Sequence, residues 1–386
     1  MKATGLGGWK ARALLGVAFV LLAAVGLLAA TVRIKVEGRW LGLYLLEARG
    51  GRGLELQDDL YLGDGSRLLM GASFSRLRGW LRAGAPAPAP GEAALELDWD
   101  ERAGRGVVRN RLGDGRELVT LFGRYEDSDG GHPRGLFVGG AVPEVSGDLA
   151  HQDESGMALR EDGHWVHIWC SVNEAAVDMI EPQPVLVYPG SFQYLGSRVL
   201  VQDPRRVVLE SSHEITLRGG KLRMDRFAYF TAGEPFFRLG IRLTGLGPGP
   251  VAYSYVYGDE PWVGRFGSAA GNYGWIPGAY RTVEGRVDPV ANRWAGIVDM
   301  KTGRANFVEW LGGDQPDDVY FSNHPGTFAE ESQRVPLASN EIFIGLQWLE
   351  RTLAPGQQRS MLLVLGVADS DPDTGVPRLP PAAARR

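Results

Sequence analysis

Several chemistries are excluded by what this chain lacks. It has one cysteine, Cys170, so it has no internal disulfide framework and no zinc site built from several thiolates. It has no long run of Lys or Arg outside the termini, and its net charge is −5. The basic footprint of a nucleic-acid-binding protein is therefore missing. No Gly-x-Ser-x-Gly elbow, Walker loop or dinucleotide fingerprint stands in a strand–turn–helix context. The glycine-rich pieces Leu217–Gly220 and Gly245–Gly249 have no helical pattern after them that could cradle a phosphate. Sustained helical periodicity is rare as well. What is abundant is glycine, 54 residues in 386, roughly twice the usual share of about 7%. Scattered glycine without a collagen repeat means many tight turns and hence many strands.

One long apolar run exists. Ala13 to Val32 holds twenty residues without a charge, preceded by Lys2, Lys10 and Arg12. That length spans a bilayer as a helix and exceeds the usual ~7–15 residues of a signal h-region. A retained anchor is expected, with a cleaved signal peptide using Ala29 and Ala30 as the alternative. Arg33, Lys35 and Arg39 follow, so basic residues flank both sides. The large C-terminal part is placed outside, periplasmic or extracellular, because long domains translocate largely regardless of local charge. A protein secreted after signal cleavage is the other possibility. One span is expected.

The rest reads as strand, turn, strand. Val36–Leu46 has a strand pattern. Leu69–Leu81 carries apolar residues at helical spacing, interrupted by Gly71 and Gly79. Ala85–Gly91, APAPAPG, is an exposed loop or linker. Ala94–Trp99 alternates, and Gly113-Asp114-Gly115 separates the arms of a hairpin, Gly106–Leu112 and Arg116–Tyr125. Further strands are expected at Trp165–Val172, Val185–Tyr188, Val199–Val201, Val207–Leu209, Glu214–Arg218, Arg226–Thr231, Phe236–Thr244, Ala252–Tyr257, Trp294–Asp299, Asp318–Phe321, Asn340–Leu349 and Ser360–Val367. The fold class is all-β, a large antiparallel sandwich behind one N-terminal transmembrane helix. Four parts are expected: an anchor or signal over 1–32, a β-rich portion over 33–140, a sandwich core over 141–368 and a disordered tail over 369–386.

Two strands carry candidate chemistry. Along Trp165–Asn173, Val166, Ile168, Cys170 and Val172 alternate with Trp165, His167, Trp169, Ser171 and Asn173. The first set suits a core. The second joins rings to polar groups, as does the row Tyr253, Tyr255 and Tyr257. Rings stack on the C–H faces of a pyranose while amides, imidazoles and carboxylates bond its hydroxyls. The same rings can equally pack beneath a loop or a second sheet. Tyr257 to Trp275 is a glycine-punctuated polar stretch with Asp259, Glu260, Trp262 and Asn272, the kind of loop that carries binding residues on a rigid sheet. His324, after Asp318–Phe321, is a further loop-tip candidate. His151, Asp153 and Glu154 make no good zinc motif. His164 and His167 are three apart on a strand and point to opposite faces. No metal and no cofactor is expected.

The segment Phe236–Tyr257, a strand, a Gly/Pro turn and a strand ending at a polar loop, resembles the supersandwich of galactose-mutarotase-like proteins. Asn340 through Gly345, the Leu353-Ala-Pro-Gly-Gln turn and Ser360–Val367 look like the closing strands of that fold. The resemblance covers roughly the second half of the chain. It implies a carbohydrate partner and a His acid with a Glu base on a concave sheet; His167 and Glu260 are the nearest residues by type and location. Three functions follow as expectations: a sugar-processing epimerase, lyase or hydrolase, a non-catalytic glycan-binding domain, and a structural or assembly protein of the envelope. Fold alone does not choose among them, and the sequence does not specify an oligomeric state.

Overall fold

Alternation of apolar and polar residues at period two runs through most of the chain, and in the computed structural model it becomes strands. The structure describes side chains from Glu92 to Pro380, apart from 124–132, 140–155, 170–173, 180–183, 259–260, 266–267, 312, 324–335, 338–341 and 372, and backbone strands between Thr31 and Leu69. The chain divides into Met1–Met70 and Gly71–Arg386. The first unit holds β1 (Thr31–Val36), β2 (Arg39–Tyr44), β3 (Leu46–Ala48), β4 (Leu54–Leu56), β5 (Asp59–Leu62) and β6 (Arg67–Leu69). They form a four-stranded sheet in the order β1-β2-β5-β6 and a β3-β4 hairpin. The single strand expected over Val36–Leu46 is thus divided among β1, β2 and β3. Thr31 and Val32, counted in the expected span, pair with Tyr44 and Leu43. Residues 13–30, the candidate helix after Leu69 and the Pro/Ala loop lie outside the described residues. Among the described residues no helix is long and apolar enough to cross a membrane.

The second unit begins with β7 (Ala94–Asp100), β8 (Arg105–Arg111), β9 (Glu117–Phe122), β10 (Met157–Glu161) and β11 (His164–Trp169). They make an antiparallel meander whose β8-β9 turn is the expected Gly113-Asp114-Gly115. There follow β12 (Ala175–Asp178), β13 (Val185–Val187), a 3₁₀ turn at Pro189–Ser191, β14 (Gln193–Asp203), β15 (Arg206–Leu217), β16 (Gly220–Thr231), β17 (Phe236–Leu246) and β18 (Val251–Asp259). Then come β19 (Asn272–Ile276), β20 (Ala279–Arg281), β21 (Gly285–Val287), β22 (Trp294–Asp299), β23 (Arg304–Gly313), β24 (Asp318–Ser322), β25 (Phe343–Leu353), β26 (Gln358–Ser370) and β27 (Pro377–Arg378). A six-stranded sheet runs β13-β12-β18-β25-β24-β21. A larger one runs β14-β15-β16-β17-β26-β23-β22-β19-β20, with β27 beside β26.

The inward faces of these three sheets share one apolar core. Leu159 and Val166 reach it from the meander, Tyr255 and Leu346 from the six-stranded sheet, and Leu209, Leu239 and Leu363 from the large one. The long hairpins of the large sheet exceed the short strands expected from sequence. In β15, Glu210, Ser212 and Glu214 interleave with buried Leu209, Ser211, His213 and Ile215. That pattern breaks an apolar run without breaking a strand. Of the tail expected to be disordered, 369–386, the described residues up to Pro380 include strand and turn. β26 runs to Ser370, and the Asp371 carboxylate accepts from Thr374 N–H and Oγ1–H, shaping the turn into β27. Leu379 packs on a second cluster that includes Trp275 and Phe307.

Candidate functional site

Strict alternation along β11 places Trp165, His167 and Trp169 on one face. A β-bulge changes this. Met157 pairs with Trp169 and Ala158 with His167, so Ile168 has no opposite residue. The extra residue turns the strand over. Trp169 therefore joins Val166 and Ile168 in the main core at 1% exposure, while His167 and half-buried Trp165 keep the other face. Trp165 stacks under the Arg160 guanidinium, 5.9 Å from the ring centre. The other half of the sequence expectation, Asn173, lies outside the described residues.

His167 meets the stretch that follows Asp259 and Glu260. Its backbone forms a two-bond bridge with Gly264, with N–H to Gly264 O at 3.3 Å and O from Gly264 N–H at 2.8 Å. Its Nδ1 lies 3.0 Å from both Pro261 O and Trp262 O. Two carbonyls can only accept, so Nδ1 carries the proton and donates. Burial holds the ring neutral, with its pKa lowered to about 4 against smaller raising effects of the two carbonyls. Asn272 clamps the same turn. Its Oδ1 accepts from Val263 N–H and its Nδ2 donates to Val263 O, both at 2.8 Å. Both ends of that amide are thus spent on the backbone of the turn. Gly264 has φ +94, and a Cβ there would meet the Asp299 carboxylate at 2.3 Å. Trp262, at φ +39, packs against the core. Asp259 ends β18, where its backbone pairs with Ile344. Glu260 and His324 lie outside the described residues.

Tyr253, Tyr255 and Tyr257 do share one face, and it is the inward one, at 0–1% exposure. Tyr255 lies 6.0 Å from the Trp348 ring and Tyr257 lies 6.5 Å from Trp169. The ring row is interior. Among the described residues, Tyr255 OH and Trp169 Nε1 are buried with no hydrogen-bond partner, an exception to the general satisfaction of buried polar atoms.

Four further residues on the inward faces, Arg226, Glu174, Ser211 and His213, carry no motif in the sequence. Arg226 and Glu174 are both fully buried and pair at 2.5 Å through Nη1 and Oε1. Arg226 also donates from Nε to Leu136 O at 2.8 Å, and its guanidinium lies 4.1 Å over the Phe137 ring. Ser211 faces Arg226 across β15-β16, and His213 is one inward step along β15. His213 Nε2 is 2.7 Å from Arg134 O, so Nε2 carries the proton and Nδ1 offers a lone pair. Glu174 precedes β12, whose Ala175 pairs with Val256. One step beyond that register sets Glu174 beside Tyr257. Burial raises the Glu174 carboxyl to about 7 against the opposing pull of Arg226, and burial lowers His213 to about 4. Glu174 Oε2, Arg226 Nη2 and His213 Nδ1 have no partner among the described residues. The signal was available: β15 and β16 place an apolar residue at nearly every inward position, and Ser211, His213 and Arg226 break that row.

The inward patch therefore combines donors (Arg226 Nη2, Trp169 Nε1), acceptors (Glu174 Oε2, His213 Nδ1) and a hydroxyl that is both (Tyr255). Among the described residues no group of three or more His, Cys, Asp or Glu is placed to hold a metal ion.

No family model and no curated protein matches this chain. Solved structures do match. One is a galactose mutarotase-like protein from Clostridium acetobutylicum, at 9% identity over 72% of this chain and 99% of the other, with a TM-score of 0.40. A second is the galactose 1-epimerase of Lactobacillus acidophilus, at 7% identity over 71% and 99%, TM-score 0.36. A third is an aldose epimerase homologue from C. elegans, at 11% identity over 72% and 100%, TM-score 0.36. Among the solved structures to which this all-β chain is similar are galactose-mutarotase-like proteins and aldose epimerases.

Proposed function

We propose that the chain is a membrane-anchored, extracytoplasmic carbohydrate-active protein that takes an envelope or extracellular glycan at the inward patch of the sandwich. One observation carries the reading: on facing sheets, Glu174 Oε2, Arg226 Nη2, His213 Nδ1, Trp169 Nε1 and Tyr255 OH are buried and lack partners among the described residues. Stranding a buried polar atom costs about 1–3 kcal/mol. Sugar hydroxyls, each donor and acceptor at once, match such a mixed set. Apart from that patch, His167, on the face of β11 opposite Trp169, and Glu260 are proposed as a proton-transfer pair that would move protons between a ring oxygen and an anomeric hydroxyl. The seat of His167 on the Pro261 and Trp262 carbonyls, directly after Glu260, supports that pairing. Asn173, Tyr257, Asp259, Trp262 and His324 complete the proposed contacts, whereas Trp165, on the other face of β11, and Asn272, whose amide is spent on Val263, do not join them. The proposed anchor is the apolar run from residue 13 up to β1, which begins at Thr31.

The test is a saccharide array probed with the full chain in detergent, followed by product analysis of any bound sugar by NMR of the anomeric signals. Wild type binds, and Glu174→Gln and Trp169→Phe lose binding while remaining folded. A folded wild type that retains no saccharide overturns the reading. Protease protection of the C-terminal part in intact cells checks the topology. A second reading, a structural envelope protein, is favoured by the complete burial of Trp169, Tyr255 and Tyr257 in the core.

A further inference from the structure

Pro133 to Gly139 is buried from Gly135 onward and lies outside the named strands, paired with β9 only at a Phe122–Val138 bridge among the described residues. One side of this strap is tied to β9: Gly123 N–H donates to Phe137 O at 2.9 Å, and Gly139 N–H donates to Leu121 O at 3.1 Å. On its other side, contacts run to the three polar residues that interrupt the inward face of the large sheet. Leu136 N–H donates to Ser211 Oγ at 3.0 Å. Arg134 O accepts from His213, and Leu136 O accepts from Arg226. The Phe137 ring lies between Arg226 at 4.1 Å and the His213 ring at 5.0 Å. Gly135, at φ +85, lets the strap come this close, since a Cβ there would stand 2.8 Å from His213 Cε1 and from Ser211 Cβ and Oγ.

This arrangement has a chemical result. An imidazole carries its one neutral proton on either nitrogen, and the bond made by one nitrogen decides the state of the other. The Arg134 carbonyl takes the Nε2 proton and so leaves Nδ1 as an acceptor. The Leu136 carbonyl takes Arg226 Nε–H and so turns the guanidinium fork, with Nη1 toward Glu174 and Nη2 left over. Ser211 touches neither group at the end that remains unpartnered. It holds the strap that orients both.

We propose that the strap is the positioning element of the inward patch, and that Ser211 and Gly135 are positioning residues that fix the tautomer of His213 and the fork of Arg226. The proposal rests on the carbohydrate reading only for what the patch binds. The tautomer can be read without any ligand.

The experiment uses the full chain labelled with ¹⁵N-histidine, with Ser211→Ala, Ser211→Thr and Gly135→Ala. Long-range ¹H–¹⁵N spectra of His213 in wild type show a single Nε2–H tautomer. Ser211→Ala gives a mixture of tautomers and weakens binding of the array's best saccharide about fivefold, the worth of one neutral hydrogen bond. Ser211→Thr, which keeps the hydroxyl, restores both. Gly135→Ala does the same as Ser211→Ala more strongly, and if it fails to fold the serine pair still decides. An unchanged His213 spectrum in Ser211→Ala overturns the proposal whether or not a sugar binds. A changed spectrum in a protein that binds no saccharide leaves the strap's role standing and removes the carbohydrate reading.

Discussion

Replacing Arg226 by methionine separates a buried ion pair from ordinary packing. The variant keeps much of the side-chain volume and loses the guanidinium that faces Glu174, Leu136 O and Phe137. Removing one partner of a buried pair costs about 3–5 kcal/mol. Here the cost should depend on pH in a defined way. In wild type the Glu174 carboxyl titrates near 7, against an ordinary value of 4.5. Its folded pKa is raised, so its contribution to stability is fully present below about 4.5, falls as pH rises toward 7 and is flat beyond. Without Arg226 the folded carboxyl stays protonated well above pH 7 while the unfolded one is ionised. Arg226→Met therefore loses an additional ~1.4 kcal/mol per pH unit above 7 relative to wild type. Glu174→Gln strands a guanidinium that cannot give up its charge, so its loss is independent of pH over the same range. The double variant, Glu174→Gln with Arg226→Met, removes both charges and recovers most of the stability. Urea unfolding followed by tryptophan fluorescence at pH 7, 8 and 9 measures all four proteins. Additive single losses with parallel pH profiles would refute the coupling.

Acidification should destabilise the fold through its buried imidazoles. His167 and His213 are both depressed to about 4, so their contribution is fully present above pH 6.5 and is lost as pH falls through 4, each on the order of 3 kcal/mol. Glu174 works in the opposite direction by a similar amount, so the net loss between pH 6.5 and 4 is about one imidazole's worth; a urea midpoint unchanged from pH 7 to 4.5 contradicts this. Trp169→Ala should cost about 3–5 kcal/mol by opening a cavity in a fully buried site, read as a drop in melting temperature. Gly264→Ala should lose more than about 1 kcal/mol, because the site has positive φ and the new methyl meets Asp299. Faster hydrogen exchange at the His167 and Gly264 amides would accompany that loss.

Period-two patterning made the sheets legible. Trp294–Asp299 is a strand with the bounds expected, and the Gly113-Asp114-Gly115 turn sits where its residues predict. The tyrosine row was readable for the same reason, since three residues two apart must share a face. Which face was not readable: tyrosine suits a groove or a core, and the packing of the other sheets against this face of β18 decides for the interior. Trp169 escaped the pattern because a bulge costs one residue of alternation and leaves no mark in composition. His213 and Arg226 escaped it because a polar residue in a strand is ordinarily assigned to the solvent side. Their partners, Arg134 and Leu136 carbonyls and Glu174, come from 79, 90 and 52 residues away. Contacts at such separation are set by topology, which local spacing does not encode.

The interrupted inward row of β15 and β16 also bears on how the hairpin finds its alignment. If β15 slid by one position against its neighbour, Glu210, Ser212 and Glu214 would turn into the hydrocarbon interior while Leu209 and Ile215 turned out to water. Ser211, His213 and Arg226 would be pulled away from the Leu136 N–H, the Arg134 and Leu136 carbonyls and the Glu174 carboxylate that bond them. The polar residues buried here thus penalise the wrong alignment twice, and the longest hairpin of the sandwich has one pairing that both its oily and its charged residues accept.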